Sequence, residues 1–88
     1  MKIFYSNQFI KRYKKIPAKI QKQIEKKITT FKDLPYHPLL NNHTLTGKWT
    51  GYCSINISGD WRAIYHNNDN DIVIFDTIDT HSNLYKKH

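Results

Sequence analysis

Tyr52-Cys53-Ser54-Ile55-Asn56-Ile57-Ser58-Gly59-Asp60-Trp61-Arg62-Ala63-Ile64-Tyr65-His66 is the stretch that decides the fold. Cys53, Ile55 and Ile57 alternate with Tyr52, Ser54 and Asn56, the period of two that gives a strand one apolar and one polar face. Ser58-Gly59-Asp60 is turn chemistry, and residues 61–66 return as the next strand. Residues 67–70 (Asn-Asn-Asp-Asn) make a second turn, and Ile72-Val73-Ile74-Phe75 supplies a third strand. Strands joined by turns this short form an antiparallel meander.

Working back from the meander, residues 35–48 carry Pro35 and Pro38 and no apolar period, so they read as a connecting loop. Before the loop, Ile20, Ile24, Ile28 and Phe31 fall at spacings of 4, 4 and 3, the single stripe of an amphipathic helix. Lys19, Lys22, Lys26 and Lys27 take its other faces. Pro17 suits the first position of that helix, where its missing N–H would be unpaired anyway. Ile16, preceding it, is biased away from the helical region and marks a break. A first helix is expected over residues 7–15, with Ser6 as N-cap and Phe9 and Tyr13 on one face. Lys2–Tyr5 reads as an opening strand. The expected fold is therefore α+β in two layers: an N-terminal strand, two antiparallel helices, then the meander packed on them. Helices on one face would leave the other face of the sheet free for a ligand.

A chain of 88 residues has room for one domain and one core, and 14% aromatic residues help a thin core close. Cys53 is the only cysteine, so no intramolecular disulfide and no cysteine-rich metal site is available. The first residues form no signal-type apolar stretch and no run approaches a membrane span, so a cytoplasmic protein is expected. The net charge of +7 is unevenly placed. Residues 1–44 hold ten Lys and Arg against two acids; residues 45–88 hold four against five. A basic half beside a near-neutral one points to a polyanion or an acidic protein partner, with solubility as the lesser reading.

Histidine is the first residue type to weigh, because it exchanges protons near neutrality. His88 is terminal and is set aside, His37 reads as a surface loop residue, and His66 as the exposed end of a strand before a turn. His43, at the entrance to the sheet, and His81, after the last strand, would meet at one end of the sheet under the register above. Neither has a Cys or His neighbour at ligand spacing, so no metal site and no cofactor is expected. Arg62 lies mid-strand, where a charge must face solvent or a partner. Two placements are open to it: the free face, where a guanidinium meets phosphate bidentately, or a surface pair with Asp76 across the sheet. Trp49, Trp61 and Tyr65 read as core; Tyr52 and Tyr85 are better placed to stack on bases.

Three motifs in order, His43-x-Leu45-x-Gly47-x-Trp49-x-Gly51-Tyr52, Asp60-Trp61-x-x-Ile64-Tyr65 and Thr80-His81-Ser82-x-Leu84-Tyr85, resemble those of the RelE/ParE toxin superfamily, and most of all its YafQ-type branch. The resemblance implies a toxin of a type II toxin–antitoxin system, a metal-independent endoribonuclease that cuts mRNA, usually on the ribosome. It also implies a cognate antitoxin partner and, through the antitoxin complex, operator DNA. His43, Asp60 and His81 match the branch's histidine before Leu-x-Gly-x-Trp, its acid before Trp and its C-terminal histidine. Arg62 resembles a central-strand arginine used elsewhere in the superfamily on the scissile phosphate. The chain departs from the branch at Asn56, where a further histidine is expected, at Thr77, where an arginine often stands, and at Asp79, which replaces a small residue.

Cleavage of this kind is attack of a 2′-OH on its own phosphate, which needs a base, an acid and positive charge on the phosphorane. The expected roles are His43 as base, His81 as acid, and Arg62 with Lys48 as charge stabilisers. Asp60 would orient a histidine or bind ribose, and Tyr85 would stack or position the phosphate. Lys48, Tyr52 and Asn56 complete the expected RNA-binding set. Two alternatives share the fold: a toxin that inhibits DNA gyrase without cutting RNA, and a non-catalytic binding module.

Overall fold

In the computed structural model, residues 1–69 and 71–85 are described; Asn70 of the second expected turn and His88 lie outside them. The elements run β1 (Lys2–Tyr5), α1 (Asn7–Lys14), α2 (Ala18–Asp33), a 3-10 turn (Pro38–Leu40), β2 (His43–Thr44), a second 3-10 turn (Gly47–Trp49), β3 (Cys53–Ser58), β4 (Trp61–Asn67), β5 (Ile72–Thr80) and α3 (His81–Leu84). The sheet has the order β1-β5-β4-β3-β2. β1 lies parallel to β5 at one edge and the other neighbours are antiparallel.

Local chemistry explains the helix ends. Ser6 is extended, and its hydroxyl accepts from the Phe9 N–H at 3.0 Å while donating to the Asp76 carbonyl at 2.7 Å. One side chain thus caps α1 and fastens it to β5. Pro17 is the N-cap of α2 rather than its first helical residue. Its ψ of 143° keeps it extended while its carbonyl accepts from Ile20 and Gln21, and a fixed proline φ suits both positions. Ile24, Ile28 and Phe31 of the expected stripe are buried, and Ile20 packs at the edge of the core.

The core lies between these helices and one sheet face, where Ile55, Ile57, Ala63, Tyr65, Val73, Phe75 and Ile78 meet Phe9, Ile24 and Phe31. Phe31 and Phe75 sit edge-to-face with centroids 5.5 Å apart, and Phe31 meets Tyr65 at 4.9 Å. β5 changes phase part-way along. Val73 and Phe75 face the core, then a bulge leaves Asp76 without a partner on β4, and the inward residue becomes Ile78. Thr77 consequently turns to the far face beside Ile64.

Three expectations need correction. The segment 35–48 is not featureless: β2 pairs with β3 through His43–Ser54 and Thr44–Cys53. A two-residue edge strand has no apolar period to announce it. The last strand continues to Thr80, because the bulge hides the alternation beyond Phe75. The second sheet face is not free either. α3, whose Leu84 is buried, sits against it, and the Trp49 indole N–H donates to the Leu84 carbonyl at 3.2 Å. Trp49 therefore braces α3 rather than filling the main core, and what remains of that face is a cleft.

Tyr65 links core to cleft. Burial holds its phenol well above the ordinary tyrosine value, so it stays a donor, to Asn42 Oδ1 at 2.8 Å. Asn42 in turn donates to the Pro35 carbonyl at 2.9 Å. Tyr65→Phe is expected to lower unfolding stability by about 1–2 kcal/mol, since the amide oxygen loses its donor in a half-buried place. Chemical denaturation checks this, and an unchanged midpoint would remove Tyr65 as the tie that seats the His43 segment.

Candidate active site

One cleft, about 290 Å³ in volume, is lined by Asn41, His43, Leu45, Ser54, Arg62, His81 and Tyr85. Four side chains from three stretches far apart in sequence, His43, Arg62 and the pair His81 and Tyr85, thus meet at one end of the sheet. Among the described residues the lining contains two imidazoles and a guanidinium but no carboxylate. Its field favours an anion.

His43 reaches the cleft from β2, and its ring is set by the residue two before it. Asn41 has left-handed backbone (φ 44°, ψ 47°) at the end of the first 3-10 turn, a conformation asparagine tolerates better than most residues. Its carbonyl lies 2.7 Å from His43 Nδ1. A carbonyl only accepts, so Nδ1 carries the proton of the neutral ring and Nε2 keeps its lone pair. The ring is exposed, with that nitrogen available to a ligand.

Arg62 comes from β4, opposite Asn56 on β3 and Asp79 on β5. The expected alternative pair with Asp76 is absent: Asp76 holds His66 instead, Oδ2 to Nδ1 at 2.6 Å. Asp79 does not neutralise Arg62 either. Its carboxylate takes Arg12 of α1 at 2.6 Å, the Thr80 N–H and the Asn83 amide. Arg62 Nη1 donates to the carbonyls of Gly59 and Trp61, at 2.7 and 3.0 Å, contacts that fix a guanidinium without cancelling its charge.

His81 begins α3, where Thr80 is the N-cap and accepts from the Asn83 N–H. The His81 N–H donates to the Asp60 carbonyl at 2.7 Å, and its ring leans on Tyr85 with centroids 4.6 Å apart. Asp60 thus holds His81 through the backbone, while its carboxylate faces Ser82 at 3.4 Å and does not line the cleft.

The residues expected to hold RNA stand outside the cleft lining. Lys48 is exposed, its ammonium 5.9 Å from the Trp49 ring centre. Tyr52 is half-buried between Trp49 and His66. Asn56 flanks Arg62, with a buried Oδ1 that has no partner among the described residues. Asn41, Leu45 and Ser54 were not anticipated. Ser54 shares the face of Asn56, a signal present in the alternation, and its buried hydroxyl is also unpartnered. His66 is not the exposed turn-flanking residue expected: it is half-buried and paired. Thr77 is buried, with a hydroxyl that has no partner among the described residues.

A second, larger groove of about 560 Å³ runs between α1, α2 and β1, lined by Tyr5, Phe9, Ile10, Tyr13, Ile24 and Ile28 among others. Ile10 and Tyr5 are partly exposed there. Among the described residues no helix is long and apolar enough to cross a membrane, and no group of three or more His, Cys, Asp or Glu could hold a metal ion.

Solved structures share this architecture. YafQ from E. coli strain BL21(DE3) superposes with a TM-score of 0.79 at 26% identity, covering 94% of this chain and 96% of that one. The toxin in the E. coli DinJ–YafQ toxin–antitoxin complex is 28% identical, with a TM-score of 0.76 and 94% of each chain covered. A YoeB/ParE toxin from Agrobacterium tumefaciens, 21% identical over 92% of this chain and 99% of its own, has the same fold at a TM-score of 0.75. Among curated proteins none matches the sequence. The family described as the bacterial toxin of type II toxin–antitoxin system, YafQ, matches residues 1–86, and with nearly the whole length matched the chain belongs to that family of toxins.

Proposed function

We propose that this toxin is an endoribonuclease that cleaves mRNA by transesterification in the cleft between β2, β4 and α3. The observation that carries this reading is the convergence of His43, Arg62, His81 and Tyr85 on one cleft where, among the described residues, no carboxylate joins the lining. His43 Nε2 takes the proton of a ribose 2′-OH, as its hydrogen bond to Asn41 favours. The 2′-oxygen bonds to phosphorus, the bond to the 5′-oxygen breaks, and His81 gives that leaving oxygen its proton. A 2′,3′-cyclic phosphate and a 5′-hydroxyl result. Arg62 holds the negative charge that grows on the phosphoryl oxygens, and Tyr85 supports the His81 ring and the phosphate. Asn56 cannot exchange a proton at neutral pH, so the chemistry rests on two imidazoles rather than three.

The partner is a cognate antitoxin, docked by an acidic amphipathic segment in the groove between α1, α2 and β1. That groove is lined mostly by apolar side chains, with Lys14 and Glu25 alongside them, and belongs to the half of the chain with ten Lys and Arg against two acids. The DinJ–YafQ complex is a precedent for such a pairing in the family.

The test is purified protein incubated with mRNA, with and without programmed ribosomes, and EDTA is added only to the ribosome-free reaction. The expected result is ribosome-stimulated cleavage, with the ribosome-free cleavage unaffected by the chelator, leaving a cyclic phosphate. Inhibition of DNA gyrase without any RNA cleavage would replace this reading with the gyrase-directed one, and neither activity would leave a binding module.

A further inference from the structure

Beyond the cleft, the same face of the sheet carries a row of rings that the proposed chemistry does not use. Trp49 meets Tyr52 edge-to-face with centroids 5.5 Å apart, and Tyr52 meets His66 in the same way at 5.5 Å. Each of the three is half-buried, with one end of the row braced by Trp49 on the Leu84 carbonyl and the other by His66 on Asp76. Lys48 lies over the Trp49 end. Bracing at both ends matters physically. A ring already held in place loses little entropy when something stacks on it.

The row lies on the same sheet face as the cleft, with the buried Ile64 between them. Arg62, Ile64 and His66 alternate along β4 toward the same face, which sets His66 about 13 Å from Arg62 at some 3.3 Å per residue. Asp76 is free to hold His66 because the β5 bulge leaves it without a partner on β4. Its carboxylate engages Nδ1, so the imidazole orientation is fixed and Nε2 points away from the pair. A lone pair of this kind at a surface contributes little to stability. Its position at the end of a ring row beside a cationic cleft is what gives it a use: aromatic platforms flanking a basic track are how proteins hold unpaired nucleotides.

We propose that Trp49, Tyr52 and His66 form a subsite for the bases of single-stranded RNA flanking the scissile phosphate, with His66 as the outermost stacking ring. The proposal rests on the nuclease reading above. Stacking tolerates any base, so this subsite supplies affinity that grows with RNA length rather than choice of sequence.

The experiment compares two oligoribonucleotides made uncleavable by a 2′-O-methyl group at the scissile nucleotide. One is long enough only for the cleft, and the other extends along the ring row. The parent protein should bind the longer about tenfold more tightly, the size of one stacked base. His66→Ala should lose that increment while binding the short oligonucleotide as the parent does. His66→Phe, which keeps a ring and drops the Asp76 contact, should retain most of it. A parent that cleaves RNA yet binds both lengths equally overturns the subsite and leaves the nuclease intact. So does a length increment that survives His66→Ala, or one lost equally in His66→Phe, which would assign His66 a structural tie to Asp76. A parent that neither cleaves RNA nor binds either oligonucleotide removes the nuclease reading, and this inference with it.

Discussion

His43→Ala should reduce the single-turnover rate of RNA cleavage by about 10²–10⁴-fold, the usual worth of one positioned proton-transfer group. Unfolding stability should hardly move, because the ring is exposed and, among the described residues, its one hydrogen bond is to the Asn41 carbonyl; substitutions at such positions stay within about 0.5 kcal/mol. His43→Gln is the sharper control. Its amide keeps a neutral polar group near the place of Nε2 but cannot take a proton, so it should be as slow as His43→Ala. His81→Ala should show a loss of the same order, since the leaving 5′-oxygen then departs without its proton. The double variant should be little slower than either single one, because both groups act on one transition state. Cleavage rates in His43→Gln and His81→Ala that match the parent would end the proposed roles, whatever the fold.

The meander and α2 were legible because their apolar periods are uninterrupted: residues 53, 55 and 57 for a strand, and residues 20, 24, 28 and 31 for a helix. What escaped notice was the structure that breaks period. The bulge at Asp76 shifts the inward positions from 73 and 75 to 78, so the end of β5 looked like tail. β2 is too short for any pattern, and α3 is a single turn held by the Thr80 cap and the Trp49 indole. Those irregular pieces are the ones that build the cleft. His43, Arg62, His81 and Tyr85 were nameable from residue type and motif order. Ser54 and Asn41 were not, since one acts through position on the sheet and the other through a backbone carbonyl in a left-handed turn. The misreading of His66 has the same root: its partner Asp76 is the bulged residue.

The cleft's charge rests on a division of labour between two acids, and the second large prediction follows from it. Asp79 lies opposite Arg62 in the register but is claimed by Arg12, and Asp76 is claimed by His66. Arg62 keeps its positive charge for a ligand, while Nη1 on the Gly59 and Trp61 carbonyls holds the guanidinium plane in place. A planar fork uses one nitrogen for such anchoring and still offers other N–H groups to phosphate. Arg62→Gln should therefore lower the cleavage rate by roughly 10²–10³-fold, the loss typical of a removed donor to a developing oxyanion. Arg62→Lys should recover little of this. An ammonium restores the charge but is a compact point donor that cannot span both carbonyls and present a second edge to phosphate. If long-range attraction were the whole contribution, the lysine variant would recover most of the rate, and raising the salt concentration would slow the parent as much as Arg62→Gln does. The placed guanidinium predicts the opposite pattern: a rate deficit in Arg62→Lys that persists at saturating RNA and changes little with ionic strength. Measuring kcat and KM separately across salt for the parent and both variants decides between the two.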